Sequence, residues 1–238
     1  MKTVAIIGAS GVVGSRTLRE LLARADVARV IALGRRPVPL QHERLSARVV
    51  DLQSRAAIAA ELPDDVAVAI SCIGTTMKKA GSKEAFRAVD HDAVIAFGEA
   101  ARDKGVPRFL AVSGLGASAL SSNFYLRTKG EADDGLTRLG FAQLTILRPS
   151  LIDDDGTRSE MRIGERIALP ITRAVFSIVG KTHRYAPIRA DVIARALVQL
   201  AFDGSAEAVR IVESDRLHQV GQLPADTAHE SRPVSGVK

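Results

Sequence analysis

Tyr125-Leu126-Arg127-Thr128-Lys129 spaces a phenol and an ammonium four residues apart, which places both on one face of a helix. A phenol ordinarily ionises near pH ~10, too high for acid–base work at neutrality. An ammonium alongside favours the phenolate and brings that proton exchange within reach. Ser113 ends an earlier apolar run, a position from which its hydroxyl can hold a substrate carbonyl toward the tyrosine. Pairs at this spacing also arise by chance on helix surfaces. Here Tyr125 is one of only two tyrosines, and it follows the strand-end serine closely. Ser113, Tyr125 and Lys129 are therefore the catalytic candidates.

A second chemistry sits at the amino end. Thr3 to Ile7 is a short apolar run, and glycines follow at positions 8, 11 and 14. After them Leu18, Leu21 and Leu22 repeat at helical spacing. Strand, glycine turn and helix in that order form a dinucleotide-binding element. Gly8 permits the sharp exit from the strand, Gly11 clears space for a pyrophosphate, and Gly14 lets the helix lie against the strand. The helix N-terminus then offers its free N–H groups to the phosphates. The expected contacts in this turn are Gly8, Ser10, Gly11, Val12, Val13 and Gly14. The spacing is G-x-x-G-x-x-G, which an ordinary strand-to-helix turn can also show.

The end of the next strand selects between cofactors. An acidic residue there would hold the ribose 2′-hydroxyl of NAD, but the chain reads Gly34-Arg35-Arg36. Guanidinium groups suit a 2′-phosphate, so NADP(H) is favoured over NAD(H), with solvated loop charges as the other reading of the pair. Asp51 and Leu52 follow the third strand on the adenine side, where Asp51 can equally cap a turn.

The elements that must carry these groups alternate. Strands are expected at 29–33, 47–50, 66–71, 109–112 and 143–147, and a last one at 208–212. Helices are expected at 54–61, 82–104, 121–139 and 191–202, with a further helix-like stretch from Glu160 to Val179 after the polar Asp153-Asp154-Asp155-Gly156. Such alternation implies an α/β fold, a mostly parallel sheet covered on both faces. Residues 1–221 read as a single domain in which 150–185 forms a small C-terminal, substrate-side subregion. Residues 222–238 read as a disordered tail.

Bulk numbers narrow the class. The 238 residues are 46% apolar and 25% charged, ordinary for a globular protein. The net charge of +6 comes without Trp and with only 4% aromatics, so a basic enzyme with a polyanionic cofactor fits better than a nucleic-acid binder. Ile167 to Val179 is broken by Pro170 and Arg173, so no membrane span is expected. Cys72 is the single cysteine, and the five histidines are scattered without close His/Cys pairing, so no metal site is proposed. A reducing compartment and a cytoplasmic location are expected. The anticipated partner is a small-molecule substrate, with a protein partner or a second copy of the chain left open. No G-x-S-x-G elbow and no G-x-x-x-x-G-K-[ST] loop occurs.

Taken together, Gly8-x-x-Gly11-x-x-Gly14, Ser113 and Tyr125-x-x-x-Lys129 resemble the short-chain dehydrogenase/reductase superfamily in its atypical extended branch. Ile73-Gly74-Thr75-Thr76, Lys79-Ala80-Gly81, Ser121-Ser122-Asn123-Phe124, Lys129-Gly130-Glu131 and Leu147-Arg148-Pro149 are similar to the Tat-interacting-protein type of oxidoreductase-like protein. The resemblance implies a three-layer Rossmann fold and NADP(H) binding, with Tyr125 as proton donor and Lys129 holding the ribose. It also implies that Ile73, Gly74 and Thr75 line the cofactor, and that Pro149, Ser150 and Leu151 lie near the nicotinamide. The chain departs from the pattern at Asp90, where many relatives carry Asn, and at Gly114, where a second serine is common. The function implied is hydride transfer between nicotinamide and a carbonyl or alcohol carbon. The alternatives are a cofactor-sensing regulatory protein and a sugar-nucleotide epimerase-like enzyme.

Overall fold

Side chains alternate faces along a strand, so an apolar run flanked by helices on both sides feeds two cores at once. In β1 (Lys2–Ile7) Val4 and Ile6 enter one core, and Ala5 and Ile7 enter the other. The computed structural model describes residues 1–153 and 184–222. In it β1 is the third strand of a seven-stranded sheet of order β3-β2-β1-β4-β5-β6-β9. The remaining strands of this sheet are β2 (Val27–Gly34), β3 (Leu45–Val49), β4 (Val66–Ser71), β5 (Arg108–Val112), β6 (Gln143–Arg148) and β9 (Val209–Glu213). Every neighbouring pair runs parallel. The expected α/β, Rossmann-type architecture is what the chain forms.

Helices α1 (Val12–Ala23), α7 (Ala190–Phe202) and α8 (Ser214–Val220) cover one face, burying Leu18, Leu21, Ile193, Leu197 and Leu217 against Val4, Ile6, Val30 and Ile70. On the other face lie α2 (Arg55–Glu61), α5 (Ala93–Asp103) and α6 (Phe124–Arg138), where Ile58, Phe97 and Leu136 meet Ile7, Ile31 and Phe109. The strand order reverses direction between β1 and β4. Ligands of open α/β sheets bind outside the carboxyl ends at such a switch point.

Three local features depart from the expected elements. Helix α6 begins at Phe124 and not at Ser121, because Asn123 accepts the Leu126 N–H at 3.2 Å while Ser121 accepts the Asn123 N–H. The expected 82–104 helix is α4 (Lys83–Arg87) and α5 joined by a π turn over Ala88–Asp92. Short elements also appear that the sequence pattern does not announce: α3 (Met77–Ala80), capped by the Thr76 hydroxyl, the helix α8, and a two-stranded pair of β7 (Ile152–Asp153) with β8 (Ile188–Arg189). The stretch from Glu160 to Val179, most of 150–185, the acidic residues after Asp153 and the tail from 223 onward lie outside the described residues.

Candidate active site

The glycine turn is built by exclusion of side chains. Gly8 has φ +78°, and a Cβ there would lie 2.5 Å from the carbonyl carbon of Cys72. Gly14 is tighter, since a Cβ would lie 2.1 Å from the Gly8 carbonyl oxygen. Both approaches are backbone to backbone, where nothing can swing aside. Gly11 donates its N–H to the Gly8 carbonyl at 2.9 Å and serves as the N-cap of α1. No side chain caps that helix and no acidic residue occupies its first turn, which leaves the N–H groups of Val12, Val13 and Gly14 and the positive dipole end for an anion. Ser10 is exposed at the lip of the turn, and Val13 is buried beneath it.

Around this turn the carboxyl ends of β2, β3, β4, β5 and β6 supply the other expected residues. Arg35 and Arg36 are exposed just after β2, and neither makes an ion pair or side-chain hydrogen bond among the described residues. Asp51 accepts the Gln53 N–H at 3.0 Å, the turn-capping arrangement, while Leu52 is buried in the core with Ile58 and Leu62. Ile73 is buried and Gly74 exposed where β4 runs out beside Gly8. The loop after β5 is stitched to the loop after β6: Ser113 N–H donates to Leu147 at 2.7 Å, and Leu115 N–H donates to Pro149 at 2.8 Å. Ser150 donates its hydroxyl to the Ala186 carbonyl and accepts from Ser214 at 3.0 Å, and Leu151 accepts the Ile188 N–H at 2.9 Å.

The three catalytic candidates converge at this end of the sheet. Tyr125, on the first turn of α6, is 37% exposed, and its hydroxyl lies over the main chain of Gly114, where a Cβ would come within 3.2 Å of it. A side chain at position 114 would press on that hydroxyl, so glycine gives the phenol more room. The Tyr125 ring rests on Phe86, 5.6 Å between centroids. Ser113 is buried and its hydroxyl has no well-aligned hydrogen bond among the described residues, although it is near enough to the Asp133 carboxylate to stabilise its charge. The approach is close without forming an aligned bond.

Lys129 is 5% exposed, and its Nζ stands 2.8 Å from Asp90 Oδ1. The pair is poorly aligned as a hydrogen bond, so its attraction is mainly coulombic. Burial alone would lower its affinity for the proton. The nearby charges of Asp90, Tyr125 and Asp133 more than reverse that and hold it above the ordinary lysine value.

Asp90 and Asp133 are the site residues that spacing alone missed or left without a role. Asp133 is the next position on the Tyr125–Lys129 stripe of α6, and Arg148 grips it at 2.8 and 3.0 Å. Burial pushes its carboxyl up, and Ser113 and Arg148 offset this only in part. The i, i+4, i+8 stripe was the available signal for Asp133. Asp90 carried no local signal, because a π turn sets its direction.

Comparison with known proteins places the chain in a dinucleotide-binding family. A family model described as NAD(P)H-binding matches residues 8–203. The protein fmp52, mitochondrial, of Aspergillus fumigatus is 38% identical over 86% of this chain and 90% of its own length. Protein HTATIP2 of Rattus norvegicus is 35% identical over 70% of this chain and 69% of its own. Among solved structures, MoeE5 in complex with UDP-glucose and NAD superposes with a TM-score of 0.66 at 17% identity, over 90% of this chain and 79% of that one, a likeness of fold. The resemblance drawn from the motifs is borne out. The expected cytoplasmic location is not: fungal relatives are mitochondrial by name, which overturns it. A single cysteine indicates a reducing environment and does not distinguish the compartments that provide one.

Proposed function

This chain belongs to the NAD(P)H-binding family, and from that premise we propose an NADP(H)-preferring oxidoreductase that moves hydride between nicotinamide and a small carbonyl or alcohol substrate. The convergence of Tyr125, Ser113 and Lys129 at the carboxyl ends of β5 and β4, beside an uncapped helix N-terminus, carries this reading. The residues present fit a dinucleotide. The backbone of Gly11 to Gly14 would hold the pyrophosphate, Arg35 and Arg36 the 2′-phosphate, Gly74 and Thr75 the adjoining ribose, and Pro149 to Leu151 the nicotinamide side. When bound, the cofactor supplies the hydride.

The chain's own groups handle the oxygen. Ser113 donates its hydroxyl to the substrate carbonyl and orients it. Tyr125 donates its proton to the same oxygen as charge develops there, and the Lys129 ammonium stabilises the phenolate left behind. In the oxidative direction the phenolate takes the alcohol proton.

Two measurements test this. Thermal-shift titration with NADP, NADPH, NAD and NADH should give the larger response to the phosphorylated pair, about 2.7 kcal/mol at a hundredfold excess over Kd. Tyr125→Phe should lower NADPH consumption against a carbonyl panel by about 10²–10⁴-fold while NADPH affinity stays within a few-fold. Equal turnover by the variant and the parent contradicts the assignment. Binding without consumption by the parent would favour the cofactor-sensing alternative.

A further inference from the structure

The reaction outlined above uses no side chain of α8, yet that short helix carries two buried polar groups. Ser214 and His218 stand four residues apart on one face and are 0% and 6% exposed. A buried hydroxyl or imidazole is costly unless it is bonded, and both groups lead to the Ala186 carbonyl. The Ser214 hydroxyl donates to Ser150 Oγ at 3.0 Å, and Ser150 donates in turn to Ala186. The His218 ring borders the same carbonyl, while its Nε2 has no aligned hydrogen bond among the described residues. The helix itself is fixed at its far end. A Cβ on Gly221 would lie 2.1 Å from the Val192 carbonyl oxygen of α7, and Arg195 of α7 donates to the Gly221 carbonyl at 2.8 Å.

We propose that Ser214, with His218 behind it, is a positioning residue for the nicotinamide half of the cofactor, acting through Ser150 on the loop after β6. This deepens the oxidoreductase reading and rests on it. The loop is held from three directions. Pro149 accepts the Leu115 N–H at 2.8 Å, which ties it to the chain that carries Ser113 and Gly114. Leu151 accepts the Ile188 N–H at 2.9 Å, which ties it to β8. Between them Ser150 is drawn down onto α8. A hydroxyl has one proton to give, and Ser150 spends it inside the protein, on Ala186. The loop therefore meets a ligand with its main chain, and the height of that main chain is set by how Ser150 is seated. Hydroxyls bonded in series polarise one another, so the arrangement is firmer than either bond alone. Removing the Ser214 hydroxyl leaves the pyrophosphate and adenine contacts on Gly11 to Gly14 and Arg35–Arg36 untouched, because none of them involves α8.

The test is calorimetric titration of the full chain with two ligands: NADPH, and adenosine 2′,5′-bisphosphate, which keeps the adenine end and lacks the nicotinamide. The parent should bind NADPH the more tightly. Ser214→Ala should weaken NADPH by about 3–10-fold, the loss of one hydrogen bond, and leave the bisphosphate unchanged. Ser150→Ala should do the same, and the double variant should lose no more than the larger single loss, because the two hydroxyls act in series. An equal loss for both ligands overturns the proposal, as do unchanged NADPH binding and losses that add in the double variant. If Ser214→Ala does not fold, Ser150→Ala decides by the same comparison of ligands. A parent that binds the bisphosphate as tightly as NADPH overturns the proposal alone. A parent that binds neither sinks the oxidoreductase reading and the proposal with it.

Discussion

The glycine turn and the lysine corner adjoin each other at the switch point, yet they are made in opposite ways. At the turn, function comes from missing side chains: Gly8 and Gly14 bring main chain against main chain and uncover N–H groups. At the corner it comes from side chains the core would otherwise reject, an ammonium and two carboxylates in near-complete burial. The first site fails when atoms are added. The second fails when a charge is taken away.

Removing the ammonium should show the largest effect. Lys129→Met leaves Asp90 buried without its counter-ion and should cost about 3–5 kcal/mol by denaturant unfolding. The double variant with Asp90→Asn should cost less than the sum of the singles. Additive costs would mean that the two groups do not form a unit.

Adding atoms at the turn comes next. Gly14→Ala meets the Gly8 carbonyl and should cost about 2–3 kcal/mol together with nucleotide binding. Gly81→Ala is the control: it has φ +81° with nothing within 4 Å of a Cβ, so only the backbone strain of about 1 kcal/mol remains. Equal costs at the two positions would deny that close packing defines the turn.

How much of each region could be read in advance follows from the same contrast. The turn is contiguous, so three glycines between a strand and an amphipathic helix disclosed it without any knowledge of the sheet. Tyr125 and Lys129 share a helix, and one spacing linked them. Ser113 came from its place at a strand end. The contacts that complete the corner cross the fold: Asp90 to Lys129, Asp133 to Arg148, Tyr125 to Gly114. All depend on the order in which the strands pair, and the first depends also on a π turn that no periodicity announces. In the sequence Asp51 suits either the adenine side or a turn cap, and in the structure it caps the Gln53 N–H. For α8, seven residues were too few to display a helical repeat.

A smaller effect concerns Cys72, whose main chain packs under Gly8. Burial pushes its thiol up to about 12, with a contact to the Thr17 hydroxyl opposing weakly. The unfolded chain therefore loses this proton first. Stability is full below the ordinary value of 9.0 and declines as pH climbs toward 12. Cys72→Ala should flatten that slope, and iodoacetamide at pH ~8 should label the half-buried thiol of the parent far more slowly than that of the unfolded chain. Rapid labelling of the native protein would show the floor of the turn to be open.

The smallest stability change is expected at the exposed arginines. Replacing Arg35 and Arg36 with Ala should leave the melting temperature unchanged and weaken NADPH by about 10–100-fold, with NADH barely affected. A matching loss for both nucleotides would assign these arginines to general electrostatics.

The most direct measurement is a crystal structure of the chain with NADPH. The account predicts a pyrophosphate on the N–H groups that follow Gly11, a ribose within reach of Lys129, and the nicotinamide facing Tyr125. An empty turn, or a nucleotide bound elsewhere with Lys129 and Tyr125 untouched, would contradict it.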